Sequence, residues 1–330
     1  MEVEGTNRAL VIGAQGVLGA VMVRAFEAAG WMVRSGARRP KPGQVEVDLD
    51  RRDSIAAAVD KRELVVNTVP HPDLLVERYV LEHGGALINV SDLPAAAARS
   101  LRAVGGGARG TVVMNAGLAP GVTTIVAADL LRLHAAASEL EIVFTLSLLV
   151  SRGPASADFV LRGLTAVPRH RTALVRLPSP FGERHCLGFG EGDAGWLGGI
   201  AEGRVVRQYV CIAEPALHER LLRLNDAGAM ASMPRSLIKS RKQRADRSTG
   251  NEAIAHWVAA NRAGRRLGAR TVECVGGSQS AARSTVVFAD GLRTEPPPSG
   301  CFNPEEIWTL NGLEGMLQAA GISVVTHPQP

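Results

Sequence analysis

The sequence predicts an α/β protein, with a doubly wound parallel sheet at the N-terminus followed by a second, mixed α/β domain. Three observations carry this reading. Short apolar runs alternate with segments of helical apolar spacing as far as residue 133, a turn containing Gly13, Gly16 and Gly19 joins the first run to the first helix, and the alternation gives way to glycine-rich sequence between residues 182 and 203. At 330 residues the chain exceeds the usual size of one core, so two domains are expected.

The elements follow in order. An apolar strand at 9–12 ends at Gly13, and a helix at 17–29 stops at Gly30. Strands follow at 31–35, 45–49 and 64–66, with a short helix at 54–59 between the last two. A helix at 74–83, a strand at 86–90, a helix after Pro94 and a strand at 111–115 complete a six-stranded unit. The helix 122–133 then leads to a strand at 141–150. Residues 1–122 are assigned to the first domain, 123–299 to a substrate-binding and dimerisation domain, and 300–330 to a C-terminal helical segment packing back on the first. Within these, 295–298 is a proline-rich connector, 304–320 has amphipathic helical character, and the charged run 241–247 is read as a solvated surface.

Composition narrows the function. Hydrophobic residues make up 46% and charged residues 21%, values typical of a folded globular chain. The net charge of +5 does not point to nucleic acid, because basic residues are spread along the chain, aromatic residues are only 4%, and no helix-turn-helix or zinc-finger spacing occurs. Only four of the 37 basic residues are lysines, and arginine is the better fork for carboxylates and phosphates, although a general arginine bias accounts for most of the excess. Cys186, Cys211, Cys274 and Cys301 form no CxxC pair, so neither a metal site nor a disulfide framework is expected. No apolar run approaches the roughly 20 residues of a membrane span, and the N-terminus lacks signal-peptide character. A cytoplasmic protein with reduced thiols, no membrane partner and a small-molecule substrate is the expectation.

The spacing GxxGxxG directly after a strand and at the start of a helix is that of a Rossmann-type dinucleotide site. Gly13 permits the tight turn, Gly16 lets a pyrophosphate approach the backbone, and Gly19 lets helix and strand pack closely. Gln15, Val17 and Leu18 fill the turn, whose N–H groups and helix dipole favour phosphates. A bare structural turn is the alternative. Residues 35–41 read SGARRPK, without the acid that NAD-specific sites carry for the ribose hydroxyls. Arg38 and Arg39 are therefore candidates for a 2′-phosphate, and NADP(H) is preferred over NAD(H). Two solvated arginines in a turn is the alternative. Asp48 is a candidate acceptor for the adenine amino group or a cap on the next turn. Asn67, Thr68, Val69 and Pro70 follow the fourth strand, where backbone groups would line the nicotinamide ribose.

With these residues in hand, the glycine turn, the segment 66–70 (VNTVP), the stretches 82–84 (EHG) and 89–92 (NVSD), and above all 115–121 (NAGLAPG) resemble the saccharopine dehydrogenase family of reductases. The segment 300–306 (GCFNPEE) followed by Gly321 and Ile322 resembles that family's C-terminal part. The likeness covers the first 135 residues well and the last 30 loosely. It implies an NAD(P)-dependent oxidoreductase, NADP(H)-dependent by the Arg38 and Arg39 reading, transferring hydride to or from a C=N or C=O group of a small amino-acid-like or related metabolite, and a homodimer formed through the second domain. A non-catalytic NADP(H)-binding sensor or scaffold is the alternative. A short-chain dehydrogenase mechanism is excluded, because neither Tyr79 nor Tyr209 heads a YxxxK pattern.

The candidate proton donors are His71, in the crevice loop, and Asp92, with a solvent-facing histidine and an ordinary turn as the respective alternatives. Gly117, Pro120 and Gly121 are candidates to border the substrate, with Thr123 and Thr124 capping or packing the helix that follows. His83 reads as a helix-dipole partner. In the second domain Arg152, with Arg162, Arg169 and Arg171, is a candidate carboxylate clamp, and Phe181 with Gly182 a candidate pocket wall.

Overall fold

The structure, a computed structural model, describes residues 7–91, 95–104, 107–148, 154–166, 171–190, 203–230 and 251–328. It divides into two units, 1–122 with 281–308 and 123–280 with 309–330.

The first unit has a seven-stranded sheet, every strand parallel to its neighbours. Its strands are β1 (Arg8–Ile12), β2 (Met32–Ala37), β3 (Val45–Glu46), β4 (Leu64–Asn67), β5 (Gly85–Asn89), β6 (Gly110–Val113) and, from far along the chain, β13 (Gly300–Phe302). The order β13-β6-β5-β4-β1-β2-β3 reverses direction at β1. That reversal is the switch point at which open α/β sheets form a ligand crevice. Strands β1 and β4 read as unbroken apolar runs because helices cover both faces, and Leu10, Val11 and Val66 are wholly buried.

The connecting helices are α1 (Val17–Ala28), α2 (Arg52–Ala58), α3 (Leu75–His83) and α4 (Ala95–Arg102). Helix α1 turns Gly19, Met22 and Phe26 inward at helical spacing, and Phe26 meets Trp31 edge-on at 5.3 Å between ring centres. Strand β3 ends at Glu46, shorter than the 45–49 expected, and only the Val47 N–H continues its pairing, to the Ala37 carbonyl.

The second unit has a mixed sheet of order β14-β12-β11-β7-β10-β9-β8. Its strands are β7 (Glu139–Leu146), β8 (Thr172–Arg176), β9 (Glu183–Gly188), β10 (Val205–Ile212), β11 (Ala253–Arg262), β12 (Arg265–Val275) and β14 (Ser323–His327). Only β7 and β10 pair in parallel; the other neighbours are antiparallel. Helices α5 (Val122–Leu133), α6 (Pro154–Thr165) and α7 (Pro215–Asp226) belong with it. The expected strand 141–150 starts two residues earlier and ends at Leu146.

The expected domain limits need correction at the C-terminal end. Helix α8 (Gly277–Thr294) begins in the second unit, but from Ala281 onward it belongs to the first, where Thr285 donates to the Ala116 carbonyl at 3.0 Å and Phe288 stacks on Trp308 at 5.2 Å. Of the C-terminal segment, residues 300–308 then belong to the first unit, with 300–302 in its sheet. The expected single helix 304–320 is broken into α9 (Pro304–Ile307) and α10 (Leu310–Ala319). Trp308 takes extended backbone because its ring is anchored against α8, and Thr309 restarts the helix by accepting from the Gly312 N–H at 3.2 Å. Residues 309–330 belong to the second unit, where β14 completes the edge beside β12.

Among the described residues, no helix is long and apolar enough to cross a membrane. At the centre of the second sheet His256 is wholly enclosed, its Nδ1 accepting from the Thr145 N–H at 3.1 Å. Burial pushes its pKa down from 6.5 to about 3, so the ring is neutral in the folded state. An unfolded chain would protonate this ring below 6.5 while the folded one does not. Stability from neutral His256 is therefore complete above that value and lost as pH falls towards 3. Acid unfolding of His256→Gln, which keeps an acceptor for Thr145, is expected to show a shallower loss over that window than the parent protein; identical slopes would contradict the assignment.

Candidate functional site

A cleft of about 400 Å³ opens at the carboxyl ends of β1 to β4. That volume is in the range of small-molecule sites. Its walls come from four strand ends: Gly13, Gln15 and Gly16 after β1, Arg38 and Arg39 after β2, Asp48 to Asp50 after β3, and Val69 with His71 after β4.

The glycine turn is fixed by backbone geometry. Gly13 has φ +84°, and a Cβ there would lie 2.5 Å from both Thr68 Oγ1 and Val69 Cγ2. A Cβ on Gly19 would fall 2.0 Å from the Gly13 carbonyl oxygen, so only glycine lets α1 start this close to β1. The Gly13 and Ala14 N–H groups donate to the Gly36 carbonyl, which pins the turn to β2. Gly16, at the N-cap, carries no side chain to cap α1, and the first turn contains no acidic residue. The N-terminal N–H groups and the positive end of the dipole thus face the exposed surface of Gln15, Gly16 and Val17. This arrangement suits an anion, and among the described residues no group of three or more His, Cys, Asp or Glu could hold a metal. Leu18 lies half-buried on the same turn.

The cation wall is built from the loop after β2. Arg38 and Arg39 are exposed at the cleft, and among the described residues neither has an ion-pair partner. The loop is held to the glycine turn by Gln15, whose Nε2 donates to the Arg39 carbonyl at 2.8 Å and to Gln44 Oε1 at 2.7 Å; that oxygen also accepts from the Lys41 N–H. Gln15 thus serves as a brace between the two walls. Asp48 is half-buried, and its carboxylate accepts from the Asp50 N–H at 3.1 Å, so it caps the turn while lining the cleft.

His71 closes the far side. Its Nε2 lies 3.0 Å from Asp50 Oδ1 and its Nδ1 accepts from the Asp73 N–H at 3.3 Å, which places the ring proton on Nε2, directed at Asp50. Nε2 joins the loops after β3 and β4, and Nδ1 braces the His71 loop itself. Asp92 and Arg152 lie outside the described residues, as does Arg169. Arg171 lies over the Tyr209 ring at 5.5 Å, and Phe181 is buried in the core of the second unit rather than lining an open pocket. His83, near the end of α3, stacks on Tyr79 at 4.2 Å.

The loops after β4, β5 and β6 stand on a buried polar mount. Asn67 and Asn89, opposed across β4 and β5, each donate an amide hydrogen to Oε1 of Glu77 on α3, at 2.7 and 2.5 Å. Asn67 Oδ1 in turn holds the Val69 N–H, and Asn89 Oδ1 holds the N–H and hydroxyl of Ser91. The Asn67 side chain is turned inward, away from the cleft. Thr68 hydrogen bonds the Ile12 carbonyl at 2.7 Å, and Pro70 is exposed. Asn115, with φ +55°, donates to Asn303 Oδ1 at 3.1 Å; Asn303 accepts the start of α9 in a capping box with Glu306, which Arg102 holds through two hydrogen bonds. The turn beyond Asn115 is tied by the Gly117 N–H to the Pro120 carbonyl. A Cβ on Gly121 would meet the Gly117 carbonyl oxygen at 1.9 Å, so this glycine serves the turn itself.

The sequence reading singled out neither Glu77 nor Asn303. The signal was present as a recurring apolar-apolar-Asn at 65–67, 87–89, 113–115 and 301–303, on four neighbouring parallel strands.

No family model and no curated protein matches the sequence. Among solved structures, the chain is similar to apo saccharopine dehydrogenase (L-Glu forming) from Saccharomyces cerevisiae, with 13% identity, a TM-score of 0.57, and 98% of this chain and 100% of that chain covered. It is also similar to the WlbA (WbpB) dehydrogenase from Thermus thermophilus, with 14% identity, a TM-score of 0.40 and coverage of 96% and 94%. A third similar structure is a putative NADPH-dependent oxidoreductase from Desulfitobacterium hafniense, with 11% identity, a TM-score of 0.43 and coverage of 96% and 95%. The first of these shows that the chain has a saccharopine dehydrogenase-like fold.

Burial holds the Glu77 carboxyl above its ordinary value of 4.5, against the opposing hydrogen bonds from Asn67 and Asn89, and among the described residues its Oε2 has no partner. The unfolded carboxyl ionises first. Stability from neutral Glu77 is therefore complete below 4.5 and declines as pH rises through the folded-state value. Glu77→Gln is expected to flatten that decline in urea midpoints measured from about pH 4 to 8, whereas Glu77→Leu strands two amides at about 1–3 kcal/mol each. A glutamine profile parallel to the parent's would contradict this.

Proposed function

We propose that the chain is an NADP(H)-dependent oxidoreductase that transfers hydride to or from a C=N or C=O group of a small amino-acid-like metabolite. The observation that carries the cofactor choice is the exposed pair Arg38 and Arg39, without an ion-pair partner among the described residues, at the end of β2 beside an uncapped α1. The fit to a dinucleotide rests on the cradle itself. Gly13, Gly16 and Gly19 leave the space that side chains would fill, and the α1 N–H groups would hold the pyrophosphate.

The nicotinamide supplies the hydride when bound. The protein's own part is to bind, orient and shield. Arg38 and Arg39 would fork a 2′-phosphate, Asp48 and Leu49 would border the adenosine, and Val69 would border the ribose nearer the reacting ring. Gly117, Pro120 and Gly121, following β6, would offer backbone to the substrate. His71, tied at both nitrogens, is better placed to brace the cleft than to move a proton, so protonation of the product falls to water, to the substrate or to Asp92. The choice of an amino-acid-like substrate rests on the sequence resemblance, and the likeness in fold to an L-Glu-forming saccharopine dehydrogenase is consistent with it.

The engagement of both His71 nitrogens also favours a second reading, a non-catalytic NADP(H)-binding sensor. Turnover separates the two, since a sensor binds cofactor without exchanging hydride with any panel of oxo acids and amines. For the cofactor itself, fluorescence titration is expected to give tighter binding of NADPH than NADH. Arg38→Ala should weaken NADPH by about 10-fold or more, the worth of a charge-assisted hydrogen bond, with NADH little affected. Equal losses for both would remove the 2′-phosphate assignment.

A further inference from the structure

In the second sheet, β9 and β10 run antiparallel with Tyr209 opposite Gly188 and Val210 opposite Leu187. One step further along the same register sets Cys211 opposite Cys186. The Phe189 N–H donates to the Gln208 carbonyl, so those opposed residues are a hydrogen-bonded pair. Alternation along an antiparallel ladder then makes the Cys186 and Cys211 positions a non-hydrogen-bonded pair. At such positions the Cα atoms approach to about 4.5 Å and the side chains are closest, a separation within the range of about 4.4–6.8 Å that a disulfide spans.

Both thiols lie in one apolar cluster with Val143, Phe181 and Tyr209 and interact with each other, while the Cys186 S–H is directed to the Arg184 carbonyl at 3.7 Å and that of Cys211 to the Ile212 carbonyl at 3.9 Å. Neither of the other cysteines faces a cysteine across its ladder: Cys274 is opposite Ile254 and Cys301 opposite Val112.

We propose that Cys186 and Cys211 are a redox pair that hydrogen peroxide converts into a cross-strand disulfide. The interaction with Cys186 and the charge of Arg184 lower the Cys211 pKa against its burial, whereas the interaction with Cys211, burial and Glu141 raise that of Cys186. Cys211 is therefore the attacking sulfur. Its thiolate displaces hydroxide from the peroxide, forming an S–O bond as the O–O bond breaks, and the hydroxide takes up the Cys211 proton to leave as water. The Cys186 sulfur then attacks the sulfenic sulfur, the S–S bond forms, and the S–O bond breaks to release a second water with the Cys186 proton. Two thiols lose two electrons and one peroxide becomes two waters.

Both thiols are buried, which makes entry selective. Strand β8 is the sheet edge and β9 its neighbour, so opening of this hairpin admits a small peroxide before a bulky disulfide. The bond formed staples the edge hairpin, with Phe181 in its turn, to β10 at the sheet interior.

The 330-residue chain is treated with hydrogen peroxide, the remaining thiols are alkylated in denaturant and the peptides are mapped by mass spectrometry. The expected result is a fall in free thiols from four to two, with peptides containing Cys186 and Cys211 joined and released by reductant. Cys274→Ala should leave that link intact, and Cys186→Ala should abolish it. Four free thiols, sulfinic or sulfonic acid at Cys211 without a link, or a link involving Cys274 or Cys301 would each overturn the proposal.

Discussion

How closely α1 can approach β1 governs the rest of the first unit. With 2.0 Å between the Gly13 carbonyl and where a Gly19 Cβ would stand, a single methyl group would push the helix off the sheet. The close approach aims the helix N-terminus at the mouth of the cleft without a side chain in the way. The Gly36 carbonyl, accepting from Gly13 and Ala14, and Gln15, reaching the Arg39 carbonyl, then fix the arginine loop relative to that N-terminus. An anion would meet two kinds of donor, backbone N–H groups from one wall and guanidinium groups from the other, whose spacing is set by the same turn.

The second support is unusual in being polar and buried. A carboxyl enclosed by α3, β4 and β5 accepts two asparagine amides through one oxygen and, among the described residues, leaves the other without a partner. A wholly apolar filling would be easier to bury. What the polar arrangement supplies is direction: the far side of each asparagine amide holds a loop N–H, at Val69 and at Ser91, so the crevice loops start from fixed positions. Asn115 and Asn303 extend the same device to β6 and β13, and Arg102 with Glu306 locks it from outside.

Much of this was legible in the sequence. The glycine spacing announced the turn, and the runs at 9–12, 64–66 and 111–115 announced buried strands because residues covered on both faces leave no polar alternation to misread. The C-terminal segment was not legible, since its helical periodicity runs on through 308 and 309, whereas a tertiary contact, Trp308 against Phe288, breaks the helix and sends the two halves to different sheets. Periodicity carries no information about such a partner. Glu77 was missed for a similar reason, because a glutamate within an amphipathic helix reads as solvated until the asparagines opposite it are placed. The cleft position of Arg38 and Arg39 was legible because it depends only on their following a strand, whereas Phe181 could not be told from an ordinary core aromatic, which is how it packs.

The account stands on an anionic cofactor lying at the N-terminus of α1. Amide hydrogen exchange, with and without saturating NADPH, reads that surface residue by residue. Strong protection is expected of the N–H groups of Val17 and Leu18, with lesser protection in the loop holding Arg38 and Arg39. Unchanged exchange across residues 15–19 alongside measurable NADPH binding would place the cofactor elsewhere and contradict it.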